Sequence, residues 1–335
     1  NSHLKGFNIP GLPSRIITSL FADDTTTYLS EFDSFDDLQD ILSFWCTASR
    51  ARFNAEKTEI IPIGSAAYRQ AVIQSCRLFP NSPPLPDHVH IAADGKPVRI
   101  LGAWLGKHVD QANPWSTVID KISHALTRWN RTHPTFRGKK LIVQMIVGGM
   151  SQYLTTVQGM PQQIESTLTK MIRCFIWESD KPPLISLDNL HCPIEEGGIG
   201  LLDLRSRNEA IDIMRLQCYL CLTPSRPSWT YLVDTLINDN VINASGHIRC
   251  LSQINVFLQS WRTGLNSSSP LPRDLLCMLQ AVEWFNINFK TLKLSHSLKK
   301  KLPAWYHLGY NATARRLNTS IASDCLRNHH KVSTI

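Results

Sequence analysis

The sequence predicts an α+β protein in which a β-hairpin, a helix and short strands are followed by an α-helical bundle and a mostly helical C-terminal region. Three observations predict this order. An acidic pair separates two β-favouring runs near the N-terminus, and two strand-like stretches meet at a glycine near residue 102. Three long apolar stripes at helical spacing follow between residues 113 and 177. The predicted strands therefore lie in the first third of the chain and a helical bundle follows them, which is typical of α+β proteins.

The composition is that of a globular protein. The chain has 335 residues, of which 43% are hydrophobic and 19% are charged, enough for two or three domains. It contains no apolar run of 18 residues and no basic-then-apolar leader, so we expect no membrane span, no signal peptide and a location in the nucleus or cytoplasm. Nine irregularly spaced cysteines favour a reducing compartment. Because the first residue is not Met, we expect the N-terminus to be a cut.

The net charge of +8 is unevenly distributed along the chain. Residues 21–40 contain seven acidic residues and no Lys or Arg, whereas residues 121–140 contain six Lys or Arg and no acid. One segment that can collect metal and another that can collect phosphate would suit an enzyme acting on polynucleotides. Two solvated faces of unrelated helices would give the same pattern, so charge alone leaves both interpretations open.

The predicted hairpin carries the first candidate site. Residues 15–20 and 26–29 are β-favouring, and Asp23 and Asp24 lie in the break between them. Two adjacent carboxylates repel each other, and either solvent or a divalent cation can offset that repulsion. Carboxylate oxygens are suitable ligands for Mg²⁺. Aspartate is also a common turn residue, so two solvated turn residues are the alternative.

An amphipathic helix and a capped turn follow the hairpin. Ser34 is placed to cap a helix whose apolar positions recur at helical spacing, at Phe35, Leu38, Ile41, Leu42 and Trp45. Acidic residues on the opposite face of this helix would be exposed to water. Asn54 and Lys57 then stand in an Asn-x-x-Lys-Thr segment that leads into a short strand.

The order of these motifs resembles the palm of reverse transcriptases from non-LTR (LINE-type), fungal-like retrotransposons. Residues 21–24, Phe-Ala-Asp-Asp, correspond to the C motif of that family, and Asn54 to Thr58 close its D motif. The resemblance implies catalytic roles for three residues. Asp23 would bind both Mg²⁺ ions (or Mn²⁺), Asp24 would be an auxiliary carboxylate, and Lys57 would lie near the incoming triphosphate. The alternative for Lys57 is a surface lysine before a strand.

Two further features bear on the resemblance. The family commonly has Gly where this chain has Arg50, a tight and left-handed backbone position at which a side chain is strained. After a proline-rich loop, two apolar stretches around Gly102 predict a second tight hairpin. Its Leu-Gly-x-x-Leu-Gly pattern resembles the E motif, the primer grip, which implies that Leu101, Gly102 and Trp104 support the 3′ end of a primer.

Three helices with short links follow and predict a compact bundle. Asn113 is a candidate cap with Pro114 in the first turn, a second helix runs over residues 137–157 with an interruption at Gly148, and a third opens at Pro161. The bundle resembles the thumb of the same enzymes. Basic side chains gather near its first loop and are candidates for binding nucleic-acid phosphates: Arg128, Arg131, Arg137, Lys139 and Lys140.

The predicted boundaries are a partial palm at residues 1–106, a helical thumb at 107–222 and a mostly helical connector at 223–335. In the last part of the chain, Cys218, Cys221, His247 and Cys250 have a spacing that zinc could use. The first two lie within a helical pattern without a tight knuckle, so buried thiols are the default interpretation.

The resemblance implies a fragment of an RNA-directed DNA polymerase whose partners are an RNA template, a DNA primer and dNTP. Two-metal catalysis needs a further carboxylate from a separate strand. In the family that Asp and the fingers lie upstream, so we expect this chain to be inactive alone, and an RNase H domain often follows downstream. The alternatives are a non-enzymatic nucleic-acid-binding or decayed, domesticated transposon protein and a metal-dependent hydrolase.

Overall fold

The computed structural model describes residues 3–178, 185–221, 225–241, 252, 254–265, 269–285, 295–308 and 312–335. The chain divides into two compact units. The first contains Asn1–Asn8 and Ser14–Asn208, and the second contains Ile9–Pro13 and Glu209–Ile335. Apart from residues 9–13, the predicted palm and most of the predicted thumb thus lie in the first unit, and their assignment to those polymerase subdomains stays a prediction.

The N-terminal part of the first unit contains short strands and two helices. In chain order these are β1 (Thr18–Phe21), β2 (Asp24–Thr27), α1 (Phe35–Ser49), β3 (Glu59–Ile60), α2 (Ala66–Ser75), β4 (His90–Ile91), β5 (Val98–Ile100) and β6 (Ala103–Leu105). The hairpins β1–β2 and β5–β6 are antiparallel, whereas β3 pairs in parallel with β4. Each of these sheets has two strands.

Helix α1 begins as its sequence predicts. The Ser34 hydroxyl accepts a hydrogen bond from the Asp36 amide at 3.1 Å, which satisfies one of the free donors of the first turn. Its apolar face, however, is not fully buried by the described residues. Ile41 is 36% exposed and Trp45 is 48% exposed, although the centre of the Trp45 ring lies 5.3 Å from that of the Phe53 ring. None of the α1 residues is fully buried among the described residues, whereas the predicted exposure of Asp36, Asp37 and Asp40 is confirmed.

The helical part of the first unit contains the main core. It consists of α3 (Asn113–Asn130), α4 (Phe136–Val143), a π-helical turn (Gln144–Gly148), α5 (Gly149–Gln158), α6 (Gln162–Trp177), α7 (Leu187–His191) and the start of α8 (Leu204–Tyr219). The side chains that are no more than 2% exposed in this core are Trp115, Ile122, Val143, Val147, Leu168, Ile172 and Leu204. Helices thus occupy the three stretches in which the sequence predicts them and share this core, while the assignment of the bundle to a polymerase thumb stays a prediction.

Two details of the bundle differ from the sequence prediction. Asn113 is the first helical residue rather than the cap, because Ala112 already has right-handed helical angles and its amide donates to Asp110 Oδ1 at 2.9 Å. The interruption at Gly148 is a π-helical turn that joins α4 to α5 rather than a break.

The π-helical turn is held by a polar side chain from α8. The guanidinium of Arg207 donates to the Gly148 carbonyl at 3.2 Å, to Ser151 Oγ at 2.9 Å and to Thr155 Oγ1 at 3.3 Å. Burial lowers the pKa of Arg207, and the nearby Glu165 carboxylate acts in the opposite direction. A π-turn displaces the helical hydrogen-bond ladder, so an external donor to its last carbonyl stabilises it.

The second unit has a smaller helical core. After α8 it contains α9 (Trp229–Asp239), α10 (Arg273–Trp284), α11 (His296–Lys299), α12 (Ala312–Leu317) and α13 (Ile321–Asn328). Trp261, Ile237 and Met278 are fully buried. The Tyr219 hydroxyl donates to Asp234 Oδ1 at 2.7 Å beside an ion pair between Arg226 and Asp234 at 2.8 Å. None of the described helices is long and apolar enough to cross a membrane.

Candidate nucleic-acid and metal site

The acidic pair lies at the end of a tight hairpin. Phe21 pairs with Asp24 across the two strands, so Ala22 and Asp23 form the turn and Asp24 is the first residue of β2. Both carboxylates are exposed. Ala22 has φ 51°, a left-handed conformation that costs a residue with a side chain about 1–2 kcal/mol. Strained turns of this kind cluster at functional sites, where the surrounding structure maintains them.

A buried carboxylate fixes the base of this hairpin. Asp33 accepts hydrogen bonds from the amides of Lys5 (2.6 Å), Ser30 (2.8 Å) and Gly6 (2.9 Å) and from the Ser30 hydroxyl (2.9 Å). Burial acts to raise the pKa of Asp33, but these hydrogen bonds outweigh it and the pKa is lowered. Phe7 forms an antiparallel bridge with Ile16, two residues before the start of β1. Sequence reasoning missed Asp33, because nothing in the sequence distinguishes it from the other six acids of residues 21–40.

The described residues supply only part of a divalent metal site. Asp23 and Asp24 offer hard carboxylate oxygens, which fit Mg²⁺ or Mn²⁺ in kind. No group of three or more His, Cys, Asp or Glu side chains converges anywhere in the described part of the chain. Magnesium requires near-octahedral coordination, and usually takes one or two carboxylates together with water and substrate phosphates. The pair therefore fits as a contribution to a metal site and not as a complete one.

The segment that contains Lys57 forms a capped turn. Asn54 Oδ1 accepts from the Lys57 amide at 3.2 Å, and the Asn54 carbonyl accepts from the Thr58 hydroxyl at 3.0 Å. This explains the Asn-x-x-Lys-Thr pattern as local turn chemistry. The Lys57 side chain is exposed, and no hydrogen bond or ion pair joins it to Asp23 or Asp24 within the ranges that the structure describes.

The hairpin β5–β6 is tightly built and fixed to the bundle. Leu101 (φ 48°) and Gly102 (φ 82°) form its two-residue turn, and positive φ at both positions is the type I′ geometry that matches strand twist. Gln158 of α5 accepts from the Trp104 amide at 2.9 Å and donates to the Trp104 carbonyl at 3.0 Å. The Tyr153 hydroxyl donates to the Leu101 carbonyl. The predicted primer-grip residues thus share a hairpin whose position is set by two side chains of α5.

The basic residues near the first bundle loop fall into two groups. Arg128, Arg131 and Arg137 are exposed and Lys140 is half-buried, and none of the four forms an ion pair with a described residue. Lys139 differs, since it is only 6% exposed. Its ammonium donates to the Ile176 carbonyl at 3.0 Å and to Glu178 Oε1 at 2.5 Å.

The placement of Lys139 departs from the expectation of a phosphate-binding side chain. Helical periodicity explains the difference, because Lys139 lies on the same face of α4 as the buried Ile142 and Val143. The ammonium of Lys139 caps the C-terminus of α6 by its hydrogen bond to the Ile176 carbonyl. Its hydrogen bond and charge also lower the pKa of the neighbouring Glu178 carboxylate.

The zinc interpretation is only partly within the described structure. Cys218 is an exposed residue of α8, and Cys221, which follows the helix, is half-buried. The Cys221 amide donates to the Cys218 carbonyl at 3.3 Å. His247 and Cys250, the other two residues of the candidate set, lie outside the described residues.

Comparison with known proteins gives two matches at low identity. The chain is 21% identical over 312 residues to the transposon TX1 uncharacterized 149 kDa protein of Xenopus laevis, and that match covers 86% of this chain. The chain is similar to a transposon protein. A putative ribonuclease H protein of Arabidopsis thaliana is 24% identical over 98 residues, or 28% of this chain.

These matches cover only a part of each relative. The chain spans 22% of the Xenopus protein and 16% of the Arabidopsis protein. No protein-family profile matches the chain. The match to the Xenopus transposon protein therefore covers most of this chain but only about a fifth of that protein.

Proposed function

We propose that the chain is a palm-and-thumb portion of an RNA-directed DNA polymerase, the reverse transcriptase of a non-LTR retrotransposon. The observation that carries this proposal is the adjacent pair Asp23 and Asp24 at the end of a strained, two-residue hairpin turn. An amphipathic helix, the capped Asn54 turn and a second tight hairpin follow it in the order typical of that family. Similarity to a transposon protein over 86% of the chain supports the same origin.

The acidic pair would act as a metal-binding contribution to the polymerase site. Bound Mg²⁺ would stabilise negative charge that develops on the transferred phosphoryl group. Asp23 and Asp24 hold their carboxylates in solvent at the hairpin end, where a triphosphate and its metal could reach them. Because the described residues bring no third acidic or histidine ligand to the pair, a further carboxylate must come from elsewhere. The chain by itself would therefore not extend a primer.

The bundle would hold the template and primer through their phosphates. Arg128, Arg131, Arg137 and Lys140 have no acidic partner among the described residues, so their charge is available to a polyanion. A hybrid of RNA and DNA would be recognised by its backbone and shape rather than by base sequence. One similar protein is named as a putative ribonuclease H, a class that acts on nucleic acid, and this supports the same class of partner.

Two measurements test the metal role. In a primer-extension assay with Mg²⁺, we expect no dNTP incorporation by the chain alone, and clear incorporation would contradict the need for an external carboxylate. Paramagnetic broadening by Mn²⁺ should be strongest at hairpin resonances and should be lost in the double variant Asp23→Asn, Asp24→Asn. The adjacent exposed pair Asp36 and Asp37 of α1 gives a matched control variant. Equal loss of Mn²⁺ broadening at the hairpin in both double variants would rule out a specific role for the turn.

A second candidate is a nucleic-acid-binding protein without catalysis. It is favoured by the same unpaired arginines and by the incomplete ligand set in the described part of the chain. The two candidates differ in the hairpin. If a hybrid duplex binds equally well with and without Mg²⁺, and the Asp23→Asn, Asp24→Asn variant behaves as the wild type in every assay, the non-catalytic candidate is correct.

A further inference from the structure

A cavity lies between the β5–β6 hairpin and the bundle helices α3 and α5. It has a volume of about 360 Å³, which is within the range of small-molecule sites. The hairpin contributes Arg99 and Trp104, α3 contributes Lys121 and its first turn, and α5 contributes Met150 and Tyr153. All these residues belong to the first unit, so the cavity is formed within one compact body.

The charge of the lining is entirely positive. Arg99 and Lys121 are the charged residues that line the cavity, and no acidic side chain is among its described lining. Neither cation forms an ion pair with a described residue. The cavity also includes Asn113, Pro114 and Ser116 in the first turn of α3, where the helix dipole adds some positive potential. The amide of Ala112 beside this turn already donates to the Asp110 carboxylate, so the two side chains are the main source of positive charge. Two side-chain cations without an acidic partner in the described lining thus face the same cavity.

The rest of the lining is suited to an aromatic ring. Trp104 and Arg99 are cross-strand neighbours, and the Arg99 guanidinium lies 6.0 Å from the centroid of the Trp104 ring. Met150 is 41% exposed, so its flexible thioether is accessible to a flat ligand. The two Gln158 hydrogen bonds to the main chain of Trp104 fix the strand that carries the ring. The aromatic surface is therefore preorganised.

We propose that this cavity binds a terminal nucleotide that carries a phosphate monoester. A base would pack on Trp104, and the phosphate would lie between Arg99, Lys121 and the start of α3. A monoester carries a charge of about −1.5 to −2 at neutral pH, more than a backbone diester, and it matches the two cations Arg99 and Lys121. If the bound nucleotide is the end of a nucleic-acid strand, the inference rests on the proposed nucleic-acid-binding function. If it is a free nucleotide, the inference does not depend on that function.

A phosphorylated strand end and a free nucleoside monophosphate offer the same chemistry, and three probes distinguish them. Binding of the full chain is measured by fluorescence anisotropy with a 3′-labelled oligonucleotide that has a 5′-phosphate and with the same oligonucleotide without it. Free dAMP is then added as a competitor, and its direct binding is measured by calorimetry. We expect the wild type to bind the phosphorylated oligonucleotide about tenfold more tightly than the unphosphorylated one. The unphosphorylated oligonucleotide lacks the dianion that forms charge-assisted hydrogen bonds with the cavity.

The variants assign this preference to the cavity. Lys121→Gln should bring the two oligonucleotide affinities to within about twofold, and Trp104→Leu should weaken dAMP about tenfold through the loss of stacking. Lys170→Gln, an exposed cation of α6 outside the cavity, should leave both quantities unchanged. Arg131→Ala should weaken both oligonucleotides equally and preserve their ratio. Circular dichroism of each variant shows whether it is folded.

The outcomes separate this inference from the proposed function. If neither oligonucleotide binds but dAMP binds in a Lys121-dependent way, the cavity inference is upheld for the free nucleotide and the proposed function fails. If both oligonucleotides bind equally and dAMP does not bind, the nucleic-acid interface is upheld and the cavity inference is overturned. A tenfold preference that survives Lys121→Gln in a folded protein also overturns it.

Discussion

The ammonium of Lys139 on α4 lies 2.5 Å from Oε1 of Glu178, the residue that ends α6, and it also donates to the Ile176 carbonyl. Although Lys139 belongs to a basic run in the sequence, its side chain thus joins α4 to α6 by a buried hydrogen bond and an ion pair. Because the side chain is only 6% exposed, its methylene groups also pack in the bundle, and the ammonium lies 5.8 Å from the Phe175 ring. The neighbouring Arg137 is exposed and has no such partner.

Replacement of Lys139 should therefore affect stability rather than nucleic-acid binding. We expect Lys139→Ala to lower the free energy of unfolding by about 1–3 kcal/mol, because the buried Ile176 carbonyl loses a donor and the bundle loses packing. Arg137→Ala, the control, should change it by less than about 0.5 kcal/mol. Urea unfolding measures both, and equal stability of the two variants would contradict the internal role of Lys139.

The exposed arginines should determine the salt dependence of duplex binding. Each of Arg128→Ala, Arg131→Ala and Arg137→Ala should reduce the slope of log affinity against log salt by about 0.9, because one phosphate contact is lost. Lys139→Ala should leave the slope unchanged. Titrations of a hybrid duplex at several salt concentrations measure this, and an unaltered slope in the triple arginine variant would exclude the loop as the contact.

Arg50 should be replaceable by glycine with a gain in stability. It follows the last residue of α1 with φ 59° and ψ 12°, a left-handed conformation, as expected for this position in the sequence analysis. Arg50→Gly should raise the free energy of unfolding by about 1 kcal/mol, since glycine adopts this conformation without the steric cost of Cβ. Arg50→Ala keeps Cβ and should give no comparable gain in urea unfolding. A similar gain in both variants would show that the arginine side chain is responsible and not the backbone.

Asp212 in the second unit should make stability depend on pH. Burial raises its pKa to about 6, Arg215 at 3.2 Å lowers it, and Asp274 raises it further. Its folded-state pKa is above the unfolded value, so the fold favours the protonated form. The ionised carboxylate then destabilises the protein at pH values above about 6, and this cost disappears below about pH 4.

Removal of the Asp212 charge should therefore stabilise the protein only where the carboxylate is ionised. Asp212→Asn should raise the free energy of unfolding at pH 8 by about 1–2 kcal/mol and should have little effect at pH 4. The control Asp239→Asn, at an exposed position at the end of α9, should have no pH-dependent effect. Thermal unfolding at both pH values measures the difference, and a gain that is independent of pH would contradict the assignment.

Asp33 should control the order of the hairpin that carries the acidic pair. Asp33→Ala leaves the amides of Lys5, Gly6 and Ser30 without their acceptor, and we expect faster hydrogen exchange at these amides and along β1 and β2. Asp36→Ala, an exposed acid of α1, is the control. Unchanged exchange in the Asp33 variant would show that the hairpin is held by its strand pairing alone.

The sequence by itself determined the local elements. Short-range rules of turn chemistry, capping and periodicity predict the hairpin with Asp23 in its turn, the Ser34 cap and the bundle helices. They also predict the left-handed backbone at Arg50. These rules depend on a few neighbouring residues, so one sequence is sufficient to apply them.

The tertiary structure alone decided how distant residues are used. Lys139 and Lys140 are adjacent in sequence, yet only the packing of α4 on α6 makes Lys139 internal. Asp33 differs from the other acids of its segment because the fold brings two amides to it, those of Lys5 and Gly6, from 28 and 27 residues away. The cavity beside Trp104 exists because α5, more than 50 residues away, fixes the hairpin through Gln158. Burial and hydrogen bonding between remote segments depend on the whole fold, which no local pattern encodes.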